Sequence, residues 1–175
     1  MKYFTPELIV KGQTDDDQAL NEHERLWDEA SDRYVAYLET VRPQFPSGLR
    51  QLDSSYYLHD AMIFGLGERE NSFVILLQLD TPPNSLLTLT YDLVDRPIVE
   101  KAVLPPRLCT PNYHVEWQYD EIEQPPGTVP TWVQSILLSN GWEVKLQFRD
   151  VQVQEAQALL PVPRGGQQAV SMKFR

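Results

Sequence analysis

Ser135-Ile136-Leu137-Leu138-Ser139-Asn140-Gly141-Trp142-Glu143-Val144-Lys145-Leu146 carries the strongest local signal in the chain. Asn140-Gly141 offers two residues that tolerate positive φ in a two-residue type I′ turn, between runs rich in aliphatic side chains. The stretch predicts a β-hairpin. A two-residue loop also sets the register. Leu137 is expected opposite Val144, Ser135 opposite Leu146 and Val133 opposite Phe148 on the core face, with Leu138 by Glu143 and Ile136 by Lys145 on the other.

Working outward, similar runs recur at roughly 58–67, 73–80, 86–94, 97–103, 113–122, 132–139 and 142–153. Glu68-Arg69-Glu70-Asn71 and Thr81-Pro82-Pro83-Asn84 are too short for the crossover that parallel neighbours need, so a meandering antiparallel sheet of about six or seven strands is expected. Upstream the period changes. Thr14-Asp15-Asp16-Asp17 provides capping oxygens and negative charge suited to a helix N-terminus. Leu20, His23, Trp27, Ala30, Tyr34, Tyr37, Leu38 and Val41 then follow at three- and four-residue steps on one face. Pro43 ends that helix, because its ring disfavours helical geometry at Arg42. An amphipathic helix over 15–42 and a sheet with one face to bury imply an α+β fold in which the helix packs on the sheet.

A chain of 175 residues with 42% apolar content suits a single core, with the domain at 1–160 and residues 161–175 as a flexible tail or an added edge strand at Ala169–Phe174. Cys109 is the only cysteine, which rules out an intramolecular disulfide and fits a reducing compartment. The first residues lack the apolar run of a signal peptide, and no stretch is long and apolar enough to span a bilayer; a cytoplasmic location is expected. The formal charge of −10 disfavours nucleic acid and anionic membrane as partners and admits a basic protein. That charge sits in two places: residues 15–42 sum to −6, and 116–123 to −4. Oligomeric state is left open.

Few residues offer chemistry. Neighbouring strand residues diverge, so His59 and Asp60 do not make a metal or acid–base pair unless a bulge turns them together, and a structural histidine is the ordinary reading. His114 and Glu116 alternate correctly to share one sheet face, yet two ligands are not a site. Asp120, Glu121 and Glu123 read as a solvated acidic strand end. Cys109 reads as a half-buried loop thiol, and His23 beside Trp27 as a core histidine. No Gly-x-Ser-x-Gly, P-loop or dinucleotide fingerprint occurs, and no cofactor is implied.

Met1-Lys2-Tyr3-Phe4-Thr5, Leu58-His59-Asp60-Ala61, Trp117-Gln118-Tyr119-Asp120-Glu121-Ile122, Ile136-Leu137-Leu138-Ser139-Asn140-Gly141 and Leu146-Gln147-Phe148-Arg149-Asp150-Val151 occur in an order that resembles an uncharacterised bacterial family of this size, a domain of unknown function. The resemblance runs from the start to about residue 153 and implies no activity. In general style the chain is also similar to immunity proteins that neutralise polymorphic bacterial toxins. Such proteins present acidic groups to a basic nuclease, where complementary charge raises the association rate and excludes wrong partners. Two functions follow as expectations. One is a non-enzymatic binding module contacting a basic protein through Asp28, Asp32, Asp120, Glu121 and Glu123. The other is a metal-dependent or acid–base hydrolase, which requires His59, Asp60, His114 and Glu116 to converge in a pocket.

Overall fold

The computed structural model describes residues 1–101, 104–105, 108–111 and 113–157. Its elements are the helices α1 (Pro6–Lys11), α2 (Asp17–Val41) and α3 (Ser47–Ser55), and the strands β1 (Ala61–Arg69), β2 (Ser72–Gln78), β3 (Leu86–Leu93), β4 (Ile98–Lys101), β5 (Glu116–Glu123), β6 (Trp132–Leu138) and β7 (Trp142–Ala156). The α+β fold and the antiparallel sheet are as the sequence predicts. The expected strand at 97–103 ends at Lys101 among described residues, and residues 161–175 lie outside them.

The sheet runs β3-β2-β1-β5-β6-β7-β4, and β3 also pairs with β7. Six strands therefore close into a ring, which removes most of the edges that an open meander leaves. β7 makes this possible by its length. Its first half pairs with β6 and β4, and its second half, from Phe148 onward, pairs with β3. Between the halves the buried positions step from Phe148 to Val151, so a bulge at Arg149-Asp150 bends the strand. Inward residues such as Ile75, Leu89, Ile136, Leu146 and Phe148 fill the ring, each almost wholly buried. The weak seam is β1–β5, where only Ala61↔Trp117 and Met62↔Glu116 pair.

Two helices seal what the strands leave open. On α3, Leu49 and Leu52 enter the core, and its first turn is capped from a distance. Asp150, on the β7 bulge, accepts from Leu49 N–H at 3.1 Å and Gly48 N–H at 3.4 Å. Between Pro43 and the apolar run at 58 the sequence predicts no element, so α3 is an addition to it. Along the unpaired part of β5 lies α2. Ile122 N–H donates to the Tyr34 hydroxyl at 2.7 Å, and Gln124 N–H to the Tyr37 hydroxyl at 2.8 Å. Phenols three positions apart on the helix thus receive backbone donors that a further strand would otherwise take. The helix begins one residue after its Asp16 cap, which accepts from Ala19 N–H at 2.8 Å.

The 135–146 hairpin forms, but its register is shifted by one residue from the expected one. Leu137 pairs with Glu143, Ile136 with Val144, Gln134 with Leu146 and Trp132 with Phe148. The loop has three residues, Ser139-Asn140-Gly141, closed by Gly141 N–H to the Leu138 carbonyl at 2.9 Å. Positive φ falls on Gly141 (81°), while Asn140 keeps a negative φ. A three-residue loop of this kind places the glycine at a bulge, unlike the two-residue type I′ turn. Trp132, Gln134 and Ile136 consequently face the core. Ser135 and Leu137 are buried on the opposite face.

Candidate functional site

The acid-rich segments behave differently. On β5, register puts Asp120 opposite inward Ile136 and Glu121 opposite outward Ser135. Asp120 therefore enters the core. Its carboxylate accepts from Trp117 Nε1–H at 3.0 Å and from Gln134 Nε2–H at 2.7 Å, and Gln134 in turn accepts from the Tyr91 hydroxyl at 2.9 Å. Burial raises the Asp120 pKa, and these two hydrogen bonds oppose the rise without cancelling it. Glu121 faces outward yet is completely buried. Its two oxygens accept from three consecutive backbone donors: Lys2 N–H at 2.6 Å, Tyr3 N–H at 2.7 Å and Phe4 N–H at 2.6 Å. The solvated strand end expected for Asp120 and Glu121 is thus replaced by a fully buried Glu121 and a half-buried Asp120 whose carboxylate is held by Trp117 and Gln134; Glu123 is half-buried too.

Residues 1–4 form a strap between α2 and the sheet. The Phe4 ring lies 5.0 Å from Trp27 and 6.1 Å from Tyr119, and Tyr3 lies 5.2 Å from Tyr34. Lys2 Nζ stands 5.7 Å above the Tyr37 ring, and the Met1 amino group meets Glu143 at 2.9 Å. The apolar face of α2 therefore meets β5 both directly, with the Trp27 and Tyr119 rings 5.0 Å apart, and through the aromatic side chains of the strap, whose backbone Glu121 holds. One clue was legible beforehand. Trp117 and Ile122, both core residues, are separated by an odd interval, which requires a bulge; it falls at Gln118 and turns Asp120 inward.

With α2 so held, its other face is fixed outward. Glu24, Asp28 and Asp32 follow at four-residue spacing, all exposed. The nearby bases are occupied beside this stripe: Arg25 pairs with Glu22 at 2.6 Å and with Glu29, and Arg33 donates to the Glu29 carbonyl at 3.1 Å. Among the described residues, no ion pair includes Glu24, Asp28 or Asp32. Like charges at this spacing each destabilise a helix by roughly 0.2–0.5 kcal/mol.

The histidine candidates form two separate pairs. Leu58-His59-Asp60-Ala61 is a turn, closed by Ala61 N–H to the Leu58 carbonyl at 3.0 Å with Asp60 at φ 63°. The expected divergence of His59 and Asp60 along a strand does not hold, because β1 starts only at Ala61; His59 Nε2 lies 3.5 Å from Asp60 Oδ1. His59 Nδ1–H donates to the Gln118 carbonyl, which can only accept. His114 Nε2 meets Glu116 Oε1 at 2.7 Å. His59 is set beside Gln118 on β5, whereas His114 precedes that strand, in a turn where its N–H donates to the Pro111 carbonyl at 2.9 Å. Among the described residues, no three His, Cys, Asp or Glu side chains come together to hold a metal ion.

An open hollow between the end of α2 and α3 is lined by Glu39, Arg42, Phe45, Arg50 and Asp53, and includes none of these candidates. Arg42 there is paired with Asp53 at 2.9 Å. No helix among the described residues is long and apolar enough to cross a membrane.

The Asp120 network makes a first prediction. A carboxyl whose folded pKa is raised contributes stability that is full below its ordinary value of 3.8 and is lost as pH rises through the raised one. In Asp120→Asn the Gln134 amide can turn over, so that Trp117, Asn at 120, Gln134 and Tyr91 still form one chain of hydrogen bonds without a buried charge. The variant is expected to unfold at higher urea than the parent at pH 7, by on the order of 1 kcal/mol, and the gain shrinks on acidification. A gain that persists unchanged below pH 4, or a loss at pH 7, contradicts this.

Compared with family models the chain matches none, and among curated proteins it has no significant match.

Proposed function

We propose that the chain is a non-enzymatic protein-binding module whose acidic α2 face docks on a basic protein surface, in the manner of an immunity protein. The observation that carries this reading is the uncompensated Glu24-Asp28-Asp32 stripe on a helix whose opposite face is anchored by the strap. A rigidly held row of carboxylates presents a field without the entropy loss of ordering flexible side chains from a mobile segment. Electrostatic complementarity of this kind acts chiefly on association rate and specificity. Asp28 and Asp32 remain contact residues in this proposal, joined by Glu24. Asp120 and Glu121 do not, since they are engaged inside the fold.

The hydrolase alternative draws no support from geometry that keeps His59-Asp60 and His114-Glu116 as two isolated pairs. A partner bound through the stripe dissociates as salt rises, because exposed charges are screened within about 8 Å at physiological ionic strength.

Charge reversal separates binding from fold. The triple variant Glu24→Lys, Asp28→Lys, Asp32→Lys is expected to retain the parent's far-ultraviolet circular dichroism. It should lose at least about 100-fold in affinity for a basic protein that co-purifies with the parent at low salt. Glu68→Lys, an exposed position at the end of β1 away from its seam with β5, serves as control. Equal retention by the triple variant and the parent overturns the reading.

A further inference from the structure

Asn140-Gly141 differs chemically from the other asparagine steps in the chain. Asn21, Asn71, Asn84 and Asn112 precede Glu22, Ser72, Ser85 and Tyr113, and only Asn140 precedes a glycine. A glycine sets no side chain against the approach of its own backbone nitrogen to the preceding carboxamide, so cyclisation meets least hindrance here.

The reaction balances with water as its one co-reactant. Gly141 N loses its proton and attacks Asn140 Cγ; the N–Cγ bond forms, the Cγ–Nδ2 bond breaks, and the amide nitrogen leaves as ammonia. Water then opens the cyclic imide at either carbonyl. One opening gives aspartate, and the other gives isoaspartate, in which the main chain runs through the former side chain and is one carbon longer.

We propose that Asn140 is a deamidation site that the folded hairpin holds closed and the unfolded chain opens. Three observations support this. The nucleophile is engaged, since Gly141 N–H donates to the Leu138 carbonyl at 2.9 Å, and both residues are buried. Freeing it leaves a donor and an acceptor without partners. The carboxamide is tethered as well: Asn140 Oδ1 accepts from Trp142 N–H at 3.3 Å. The loop is also clamped from outside. Cys109 Sγ lies 2.7 Å from where a Cβ on Gly141 would stand. Thr110 N–H donates to the Ser139 carbonyl at 2.7 Å, and the Thr110 and Ser139 hydroxyls are 2.6 Å apart. Cyclisation must swing the 140–141 peptide into line with Cγ, and these neighbours resist that swing until the loop opens.

The two products differ in consequence. Aspartate tolerates the same turn position as asparagine. Isoaspartate lengthens the loop that sets the β6–β7 register, so a chain that reacts while unfolded cannot close this hairpin as before. Unfolding thereby becomes irreversible with time.

Incubation of the full chain at mildly alkaline pH, in buffer and in guanidinium chloride, tests this by mass spectrometry of the fragment that contains residue 140. In denaturant, position 140 is expected to exchange ammonia for water faster than the other four asparagines. In buffer its rate should fall at least about 100-fold, because reaction waits on local opening. Thr110→Val removes the hydroxyl bridge to Ser139 and should speed the reaction at least about threefold in buffer, with no change in denaturant. Parent chains aged in denaturant should lose refolding yield in step with their isoaspartate content, whereas Asn140→Ser, which has no carboxamide to cyclise, should keep it. Equal rates in buffer and denaturant overturn the proposal, as does a refolding yield that falls as fast in Asn140→Ser as in the parent.

Discussion

Gly48→Ala is expected to destabilise the protein by about 3 kcal/mol or more, read as a fall in the urea midpoint with an unchanged slope. The reason is backbone contact. A Cβ at this position would lie 1.6 Å from the Val151 carbonyl oxygen and 2.9 Å from Asp150 Oδ1. Neither group can yield cheaply, since Val151 is buried on β7 and Asp150 caps α3 through Leu49 N–H. Relief requires the helix to withdraw, and withdrawal exposes Leu49 and Leu52, which are 0% and 3% exposed. Alanine would normally help a helix by up to about 1 kcal/mol over glycine, so the sign itself is diagnostic. A variant as stable as the parent would show that α3 does not dock on β7 as described.

Glu121→Ala is expected to lose about 3–5 kcal/mol, and Glu121→Gln about 1–3 kcal/mol. The difference follows from the number of donors left without an acceptor. Glutamine can retain Oε1 for Tyr3 and Phe4 N–H, while its amide group opposes Lys2 N–H. Alanine abandons all three. Loss of the strap also removes the Phe4 ring from beside Trp27 and Tyr119, so α2 keeps only its direct contacts with the sheet. Glu123→Gln, two residues along the same outward face, should by contrast stay within about 0.5 kcal/mol of the parent. Urea unfolding of the three variants orders them, and equal effects at 121 and 123 would refute the anchoring role.

Legibility in the sequence followed how local each signal was. For α2 the caps, the period and the terminating proline lie within the segment, and its bounds agree closely with Asp17–Val41. Strand positions were readable from apolar runs for the same reason. The register of 135–146 was not, because β6 is apolar on both faces and the pattern accepts either alignment. α3 was hidden twice over. It has only Leu49 and Leu52 as buried residues, and its cap comes from Asp150, about a hundred positions away in sequence. Ring closure likewise depends on β7 bending at its bulge.

The site divides along the same line. That residues 15–42 and 116–123 are acidic is plain from composition. Which carboxylates face solvent depends on partners from the first four residues and from β6, so the stripe at Glu24, Asp28 and Asp32 stayed outward while Asp120 and Glu121 did not. His59 and Asp60 were read as strand neighbours, whereas a turn with positive φ at Asp60 brings them together.

Amide hydrogen exchange at Tyr3 and Phe4 tests most directly that an internal Glu121 fixes the strap, and with it the outward stripe of α2. Both amides are expected to exchange at least about 1,000-fold more slowly than in an unstructured peptide, and to lose that protection in Glu121→Gln before the β6 amides do. Exchange at the peptide rate in the parent, with β6 still protected, would contradict the account.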